Sequence, residues 1–134
     1  MARFSHRLRI RYSDCDPQGV VFFANHAMLF DVGMTELWRE AIGPYNEMVE
    51  GGVDMVVAEC NVRYRAPLRF DEEADVTISV TRLGTTGMST SIRISVGDTL
   101  CSEGEMRHVF IDTATGTKAE IPDPVREGLT PYLV

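Results

Sequence analysis

The chain has 134 residues, 44% hydrophobic and 25% charged, which predicts one globular domain, residues 1–134, with a core of its own. Twenty acidic residues against thirteen basic ones give a net charge of −7, which argues against nonspecific binding to nucleic acid or to anionic membranes. The cysteines Cys15, Cys60 and Cys101 are far apart and lack the spacing of zinc or redox motifs. They predict reduced thiols rather than disulfides or a metal site.

The first seven residues lack the apolar stretch of a signal peptide, and no run approaches the roughly 18 apolar residues of a membrane span. The sequence therefore predicts a cytoplasmic protein without a membrane-spanning segment.

The first half of the chain predicts a strand, a turn and a long helix. Residues 4–12 alternate between apolar and basic or polar side chains, as in a half-buried strand. A turn follows at Asp14–Gly19. Residues 23–42 then carry an apolar stripe that predicts an amphipathic helix of about five turns. Asn25 is a candidate N-cap, and Gly43-Pro44 ends the helix.

The second half predicts four strands after a short helical turn at 45–52. Alternating residues mark these strands at 56–64, 76–81, 88–96 and 100–111. The last one slips near Gly104, which predicts a β-bulge there. A short segment at 122–132 covers the end of the sheet. Strand, helix and four strands predict an α+β fold in which one helix packs on an antiparallel sheet. The side of the sheet left open favours a homo-oligomer.

The segment Asp14–Val21 carries the chemistry. Two carboxylates one residue apart stand beside Pro17 and Gly19, which favour a tight turn. The N-terminus of the predicted helix follows, and its free backbone N–H groups can polarise an oxygen. A carboxylate beside such a group is suited to attack on a carbonyl, so the pattern predicts an enzyme.

This segment and the element order resemble the hotdog-fold acyl-CoA thioesterases, most of all the 4-hydroxybenzoyl-CoA thioesterase branch. The family pattern is Asp-x-Asp-x-x-Gly-[Ile/Val]-Val, followed by aromatic residues, Asn and a central helix. Weaker matches, over residues 4–125 in all, lie at Cys60–Val62, Arg65–Asp71, Asp112–Gly116 and Ile121-Pro122.

The resemblance implies the architecture and the assembly. A five-stranded antiparallel sheet is expected to wrap around one long central helix. Two subunits are expected to pair edge to edge, with active sites at the homodimer interface, and the dimers to form a homotetramer. No cofactor is implied beyond the coenzyme A of the substrate.

The resemblance also assigns roles in the turn. Asp16 matches the catalytic carboxylate, acting as a nucleophile that gives a mixed anhydride or as a general base on water. From the residues alone, capping the turn or the helix is the commoner role of such an aspartate. The Phe23 backbone N–H matches the donor to the thioester oxygen, and Gly19 matches the small residue that allows close approach. Asp14 is predicted to hydrogen-bond the turn and orient it.

Substrate contacts are assigned to Val21, Phe22 and His26. Many relatives carry Tyr where this chain has His26, which is placed at the pocket mouth or the subunit interface rather than in catalysis. Flanking carboxylates raise the pKa of Cys15 and make it a poor nucleophile. A metal site of Asp14, Asp16 and His26 is not favoured. The apolar residues Phe22, Phe23, Met28 and Met55 fit a pocket wall but are expected in the core.

Basic residues are expected to hold the phosphates of coenzyme A. The candidates are Arg63, Arg65 and Arg82, with Arg69 and the row Arg7, Arg9 and Arg11. The relatives' basic cluster near the fourth strand is replaced here by the uncharged segment Gly84–Met88. The sequence therefore leaves open how the nucleotide is held and whether the acyl carrier is coenzyme A.

The predicted function is hydrolysis of an acyl-CoA, aromatic or short-chain, to the free acid and coenzyme A. One alternative is a noncatalytic module that binds acyl thioesters or a carrier protein. Another is a hotdog hydratase or dehydratase, whose usual His-Asp or His-Glu arrangement is missing around this turn.

Overall fold

The computed structural model describes residues 3–134. Its helices and strands follow the predicted order, with bounds close to the sequence patterns. They are β1 (Phe4–Arg9), α1 (Asn25–Ala41), α2 (Tyr45–Glu50), β2 (Val53–Tyr64), β3 (Glu73–Leu83), β4 (Gly87–Val96), β5 (Thr99–Asp112) and α3 (Asp123–Leu129), with 3₁₀ turns at Tyr12–Asp14 and Thr130–Tyr132. No helix within residues 3–134 is long and apolar enough to cross a membrane.

The five strands form one antiparallel sheet in the order β1-β3-β4-β5-β2. The hairpins β3-β4 and β4-β5 build its centre, while β1 and β2 lie at opposite edges. The long helix α1 packs on one face of the sheet, and the core lies between them. The predicted α+β hotdog architecture, five strands around one long helix, is confirmed.

The apolar stripe of α1 determines how closely the helix approaches the sheet. Leu29, Phe30 and Leu37 are at most 4% exposed. At Gly33 an added Cβ would lie 2.5 Å from Val76 Cγ1 on β3. Real Cβ contacts are longer than this, so the missing side chain is what brings the helix so close to β3.

The helix start differs from its prediction. The helix begins at Asn25, so Ala24 occupies the N-cap position, where it makes no side-chain cap bond. The Asn25 side-chain amide instead donates to the Asp14 carbonyl oxygen over 2.9 Å. This contact fixes the first turn of α1 against the preceding loop, and the expected cap at Asn25 is wrong.

The bulge predicted at Gly104 is also absent from that position. Gly104 stays in register, opposite Ile92 on one side and Val62 on the other. The β4–β5 register shifts nearer the start of β5. Ile94 faces Ser102 but Ser95 faces Leu100, so Cys101 is the extra residue. Glycine at 104 is required by close packing rather than by a bulge. A Cβ there would lie 1.9 Å from the Asn61 carbonyl oxygen.

Strand β2 is a long edge strand that pairs only with β5 along its length. Residues 56–60 are exposed, including 43% of Val56 and 52% of Val57. The register shifts once, between Val57 and Glu59. An exposed edge of this length leaves unpaired backbone groups and apolar side chains open to solvent.

Candidate active site

A tight loop between β1 and α1 presents Asp16. Backbone bonds close it, from the Asp16 N–H to the Val20 carbonyl (2.9 Å) and from the Gly19 N–H to the Asp16 carbonyl (3.0 Å). Gly19 has φ +80°, which favours glycine. The Gln18 N–H donates to Asp16 Oδ1 over 2.8 Å. Within residues 3–134, Asp16 Oδ2 accepts no hydrogen bond, so this half-buried carboxylate keeps one oxygen available.

Asp14 supports the loop, as predicted. It is 4% exposed and accepts from the Arg11 N–H (2.8 Å) and from the Arg11 guanidinium (2.9 Å). Its carbonyl accepts from the Phe22 N–H and from the Asn25 side chain. These bonds use both carboxylate oxygens within the loop, so the two neighbouring aspartates have different surroundings.

The backbone just before α1 carries the predicted N–H donor. In the described part of the chain, no acceptor pairs with the Phe23 N–H. The Phe23 carbonyl accepts from the Tyr64 hydroxyl over 2.8 Å and from the His26 N–H over 3.3 Å. Tyr64 ends β2, so the edge strand holds the helix start in place while the Phe23 N–H stays unused.

One predicted position of His26, the pocket mouth, is wrong, while the other, the subunit interface, stays a prediction. Its side chain is 4% exposed, with Nδ1 2.8 Å from the Ser102 hydroxyl on β5 and its ring edge-on to Tyr64 at 5.0 Å. Burial lowers the pKa of His26, which favours the neutral ring. Because α1 turns His26 towards the sheet, its ring packs against Tyr64 and does not lie at a pocket mouth.

Four apolar residues also differ from their predictions. Val21 is 5% exposed within the core, so its side chain is not open to a substrate. The expected burial of Phe22, Phe23 and Met28 is wrong, since they are 44%, 63% and 54% exposed. They surround the helix start, where nothing in residues 3–134 covers them. Met55 is half-buried and lines a cavity, as described below.

The basic candidates are spread over the sheet. Arg65 is paired with Glu103 at 3.0 Å, and Arg63 is exposed beside Tyr64 with no ion pair to residues 3–134. Arg82 lies far along β3, roughly 30 Å from the strand start beside the Asp16 loop. The structure therefore brings Arg63 and Arg65 to the end of β2 near the helix start but separates Arg82 from the loop of the same copy.

Cys15 is a poor nucleophile, as predicted. Burial, with Asp14 and Asp16 as further causes, raises the pKa of its thiol. All three cysteines are free thiols. Residues 3–134 contain no cluster of three His, Cys, Asp or Glu side chains placed to hold a metal ion.

A cavity of about 730 Å³ lies at the other end of the helix, between α1, α2 and the first half of β2. Its wall is mostly apolar and aromatic, with polar groups among it. The residues include Asp31, Met34, Thr35, Trp38, Tyr45, Met55, Val57 and His108. A cleft of this size and composition is typical of a small-molecule site.

Sequence reasoning missed this cavity. The apolar stripe of α1 predicts Trp38 only as a core residue, and no local pattern assigns a role to His108. The available signal was His108 itself, an imidazole at an inward position of β5 between the buried residues Met106 and Phe110. Burial lowers the pKa of His108, with Asp31 opposing, so the ring favours the neutral form.

The comparisons with known proteins agree with this fold. A family model described as the thioesterase-like superfamily matches residues 10–129. A putative esterase from Aquifex aeolicus is 25% identical, over 94% of this chain and 97% of its own. The acyl-CoA thioester hydrolase YbgC of Escherichia coli O6:H1 is 28% identical, over 81% and 82%.

A solved structure has the same fold. The crystal structure of a 1,4-dihydroxy-2-naphthoyl-CoA thioesterase from Synechocystis superposes with a TM-score of 0.88, covering 96% of each chain at 17% identity. The resemblance noted from the Asp14–Val21 segment and the element order is thereby confirmed. The chain belongs to the thioesterase-like superfamily of hotdog-fold enzymes.

Proposed function

We propose that this protein hydrolyses an acyl-CoA thioester, aromatic or short-chain, to the free acid and coenzyme A. The observation that carries the proposal is the pairing of two available groups beside one loop. These are the free Oδ2 of Asp16 and the unpaired N–H of Phe23 at the start of α1. No cofactor is involved beyond the coenzyme A moiety of the substrate.

The two groups have complementary roles at a thioester. The Phe23 N–H donates to the carbonyl oxygen, where negative charge develops, a contribution of about 3 kcal/mol for one such donor. Asp16 either attacks the carbonyl carbon, forming a mixed anhydride as the thiolate leaves, or takes a proton from the attacking water. In the first route water then hydrolyses the anhydride. Both routes yield one acid and one thiol.

The relatives support the acyl-CoA class of substrate. YbgC is named for acyl-CoA thioester hydrolysis, and the Synechocystis protein for a bicyclic aromatic acyl-CoA. The wall of the cavity, in which the Trp38 and Tyr45 rings lie 5.3 Å apart between centres with their planes tilted by 58°, favours an aromatic group. We place the reaction in the cytoplasm on the ground that the three cysteines are free thiols.

Thiol release tests the proposal directly. We expect wild-type protein to release thiol from aromatic or short-chain acyl-CoA substrates in a panel that also holds long-chain acyl-CoA and the matching acyl-carrier-protein thioesters. Release from carrier-protein thioesters alone would contradict the assignment to coenzyme A. Tight binding of every thioester without release would favour a noncatalytic module instead.

We further propose a homodimer formed edge to edge through β2, with dimers assembling into a homotetramer. Support for the dimer comes from the exposed stretch at residues 56–60 and from the apolar side chains of Val56 and Val57 on it. A twelve-residue edge strand left open would be prone to unspecific pairing. An antiparallel pair of β2 strands would close both edges at once.

The proposed dimer would also bring the cavity close to the Asp16 loop, from which it is far removed within one copy. Tyr64 binds the helix start beside Asp16, whereas Val57 lines the cavity, and these residues lie roughly 23 Å apart along β2. An antiparallel pairing centred near Cys60 brings Tyr64 of one copy opposite Val56 of the other. The cavity of one copy then lies beside the Asp16 loop of the second, so each site is composed of both copies.

Mixed dimers test this arrangement. Asp16→Asn removes the carboxylate, and Thr35→Trp fills the cavity from an exposed position of α1. Each homodimer should be inactive. An equimolar mixture, after exchange of subunits, should recover about a quarter of wild-type thiol release, because half the dimers are mixed and each has one intact site. If the subunits are shown to exchange and no activity is recovered, the Asp16 carboxylate and the cavity of each site belong to the same copy.

A further inference from the structure

Tyr64, at the end of β2, is bonded to the helix start beside the Asp16 loop. Its hydroxyl donates to the Phe23 carbonyl oxygen over 2.8 Å, whereas the other donor to that oxygen, the His26 N–H, is farther away at 3.3 Å. The two bonded residues are 41 positions apart in the chain, so the bond is a tertiary contact. Tyr64 is 50% exposed, which indicates a role other than filling the core.

The backbone on both sides of the Phe23 N–H is held by hydrogen bonds. The Phe22 N–H donates to the Asp14 carbonyl over 3.1 Å, and the Phe22 carbonyl accepts from the Asn25 N–H over 2.8 Å. The Tyr64 hydroxyl holds the next carbonyl, that of Phe23. Residue 23 precedes α1, so the regular ladder of helical bonds does not yet fix its backbone. The direction of the Phe23 N–H therefore depends on the bond from Tyr64.

Two residues behind Tyr64 hold its ring. The His26 ring lies edge-on to it, with 5.0 Å between the ring centres and 85° between the planes. His26 is buried, and its Nδ1 lies 2.8 Å from the Ser102 hydroxyl on β5. The hydrogen bond to Ser102 fixes the His26 ring within the core, and the edge-to-face contact restricts the tyrosine ring. The Tyr64 hydroxyl thus meets the Phe23 carbonyl with little freedom to move.

We propose that Tyr64 is a positioning residue of the hydrolysis, which orients the Phe23 N–H towards the thioester oxygen through its bond to the Phe23 carbonyl. The inference rests on the proposed function, in which that N–H polarises the thioester. A donor stabilises the developing charge fully only when its position and direction are fixed before the reaction. The Tyr64 proton is already donated to the backbone, so the reaction itself is left to the Asp16 carboxylate and the Phe23 N–H.

Tyr64→Phe tests this role, because it removes the hydroxyl and keeps the ring that packs against His26. We expect kcat for thiol release from the best acyl-CoA to fall roughly tenfold, while KM changes by less than about twofold. The matched control is Tyr132→Phe, which removes a hydroxyl that donates to Glu40 over 3.1 Å at the far end of α1. It should retain the wild-type kcat, although it loses the same kind of hydrogen bond.

A double-mutant cycle shows whether Tyr64 acts through the Phe23 N–H. Phe23→Pro removes that N–H, which bonds to no acceptor within residues 3–134. We expect this variant to lose roughly a hundredfold in kcat, and the addition of Tyr64→Phe to change it by less than about twofold. A further tenfold loss in the double variant would overturn the inference, because Tyr64 would then act without the N–H.

The remaining outcomes separate this inference from the proposed function. A wild-type kcat in Tyr64→Phe refutes the positioning role alone, since the wild-type protein still releases thiol. A raised KM at unchanged kcat also refutes it, because Tyr64 would then contribute only to binding of the substrate. Both comparisons hold even if Phe23→Pro fails to fold. A wild-type protein that releases no thiol from any acyl-CoA refutes the proposed function, and the inference with it.

Discussion

Replacing Asp16 with asparagine should reduce thiol release by roughly a thousandfold or more while leaving the fold intact. In the wild-type protein the Gln18 N–H donates to Asp16 Oδ1. The asparagine side chain keeps an oxygen that can accept this hydrogen bond, so the loop can form as before. It loses the negative charge and the basicity that attack on a carbonyl or on water requires. Steady-state release from the best substrate of the panel, with circular dichroism on the same sample, measures both effects.

Asp98→Asn makes the same chemical change in an exposed turn between β4 and β5 and should retain wild-type rates. A comparable loss in both variants would mean that the assay reports general damage. A wild-type rate of thiol release in Asp16→Asn would show that Asp16 takes no part in the reaction. Activity would then have to come from another group near the Phe23 N–H.

Replacing Gly104 with alanine should lower the free energy of unfolding by about 3 kcal/mol or more. The added Cβ would lie 1.9 Å from the Asn61 carbonyl oxygen and 2.9 Å from its carbonyl carbon. Those atoms belong to the backbone of β2, which cannot turn aside as a flexible side chain can. The β2–β5 ladder must therefore open at this point, as urea unfolding would show.

A matched control is Gly51→Ala, at the exposed C-terminal end of α2. There the nearest atom to the new Cβ is the Met48 carbonyl oxygen at 3.3 Å, and the backbone is helical. We expect a change within about 0.5 kcal/mol. Because β2 carries Tyr64 and part of the cavity wall, Gly104→Ala should also lose activity below its unfolding midpoint. Stability equal to that of the control would contradict the contact.

Local patterns predicted much of the fold because they act through near neighbours. The alternation of β3 and β4 and the apolar stripe of α1 each describe one face of one element, and the structure confirms those elements. The ends of elements were less predictable. The start of α1 depends on the bond between Asn25 and the Asp14 carbonyl, and the bulge at Cys101 depends on β4, so neither follows from its own segment.

In the candidate site, too, some residues could be predicted from local sequence and others depend on tertiary contacts. The Asp14–Val21 segment is continuous in sequence, so its turn and the supporting role of Asp14 could be predicted from the residues. The burial of His26 and Val21 could not be predicted, because it depends on which way α1 and the loop face the sheet. Tyr64 and His108 went unnoticed since they come from strands far along the chain.

The sequence by itself determined the element order, the family and the loop that carries Asp16, because each rests on residues close together in the chain. Only the tertiary structure decided what surrounds that loop. Packing of α1 on the sheet turned His26 inward, left the Phe23 N–H unpaired and enclosed a cavity beside Trp38 and His108. These features join residues up to about eighty positions apart, and their contacts arise from burial and close packing rather than from any local pattern.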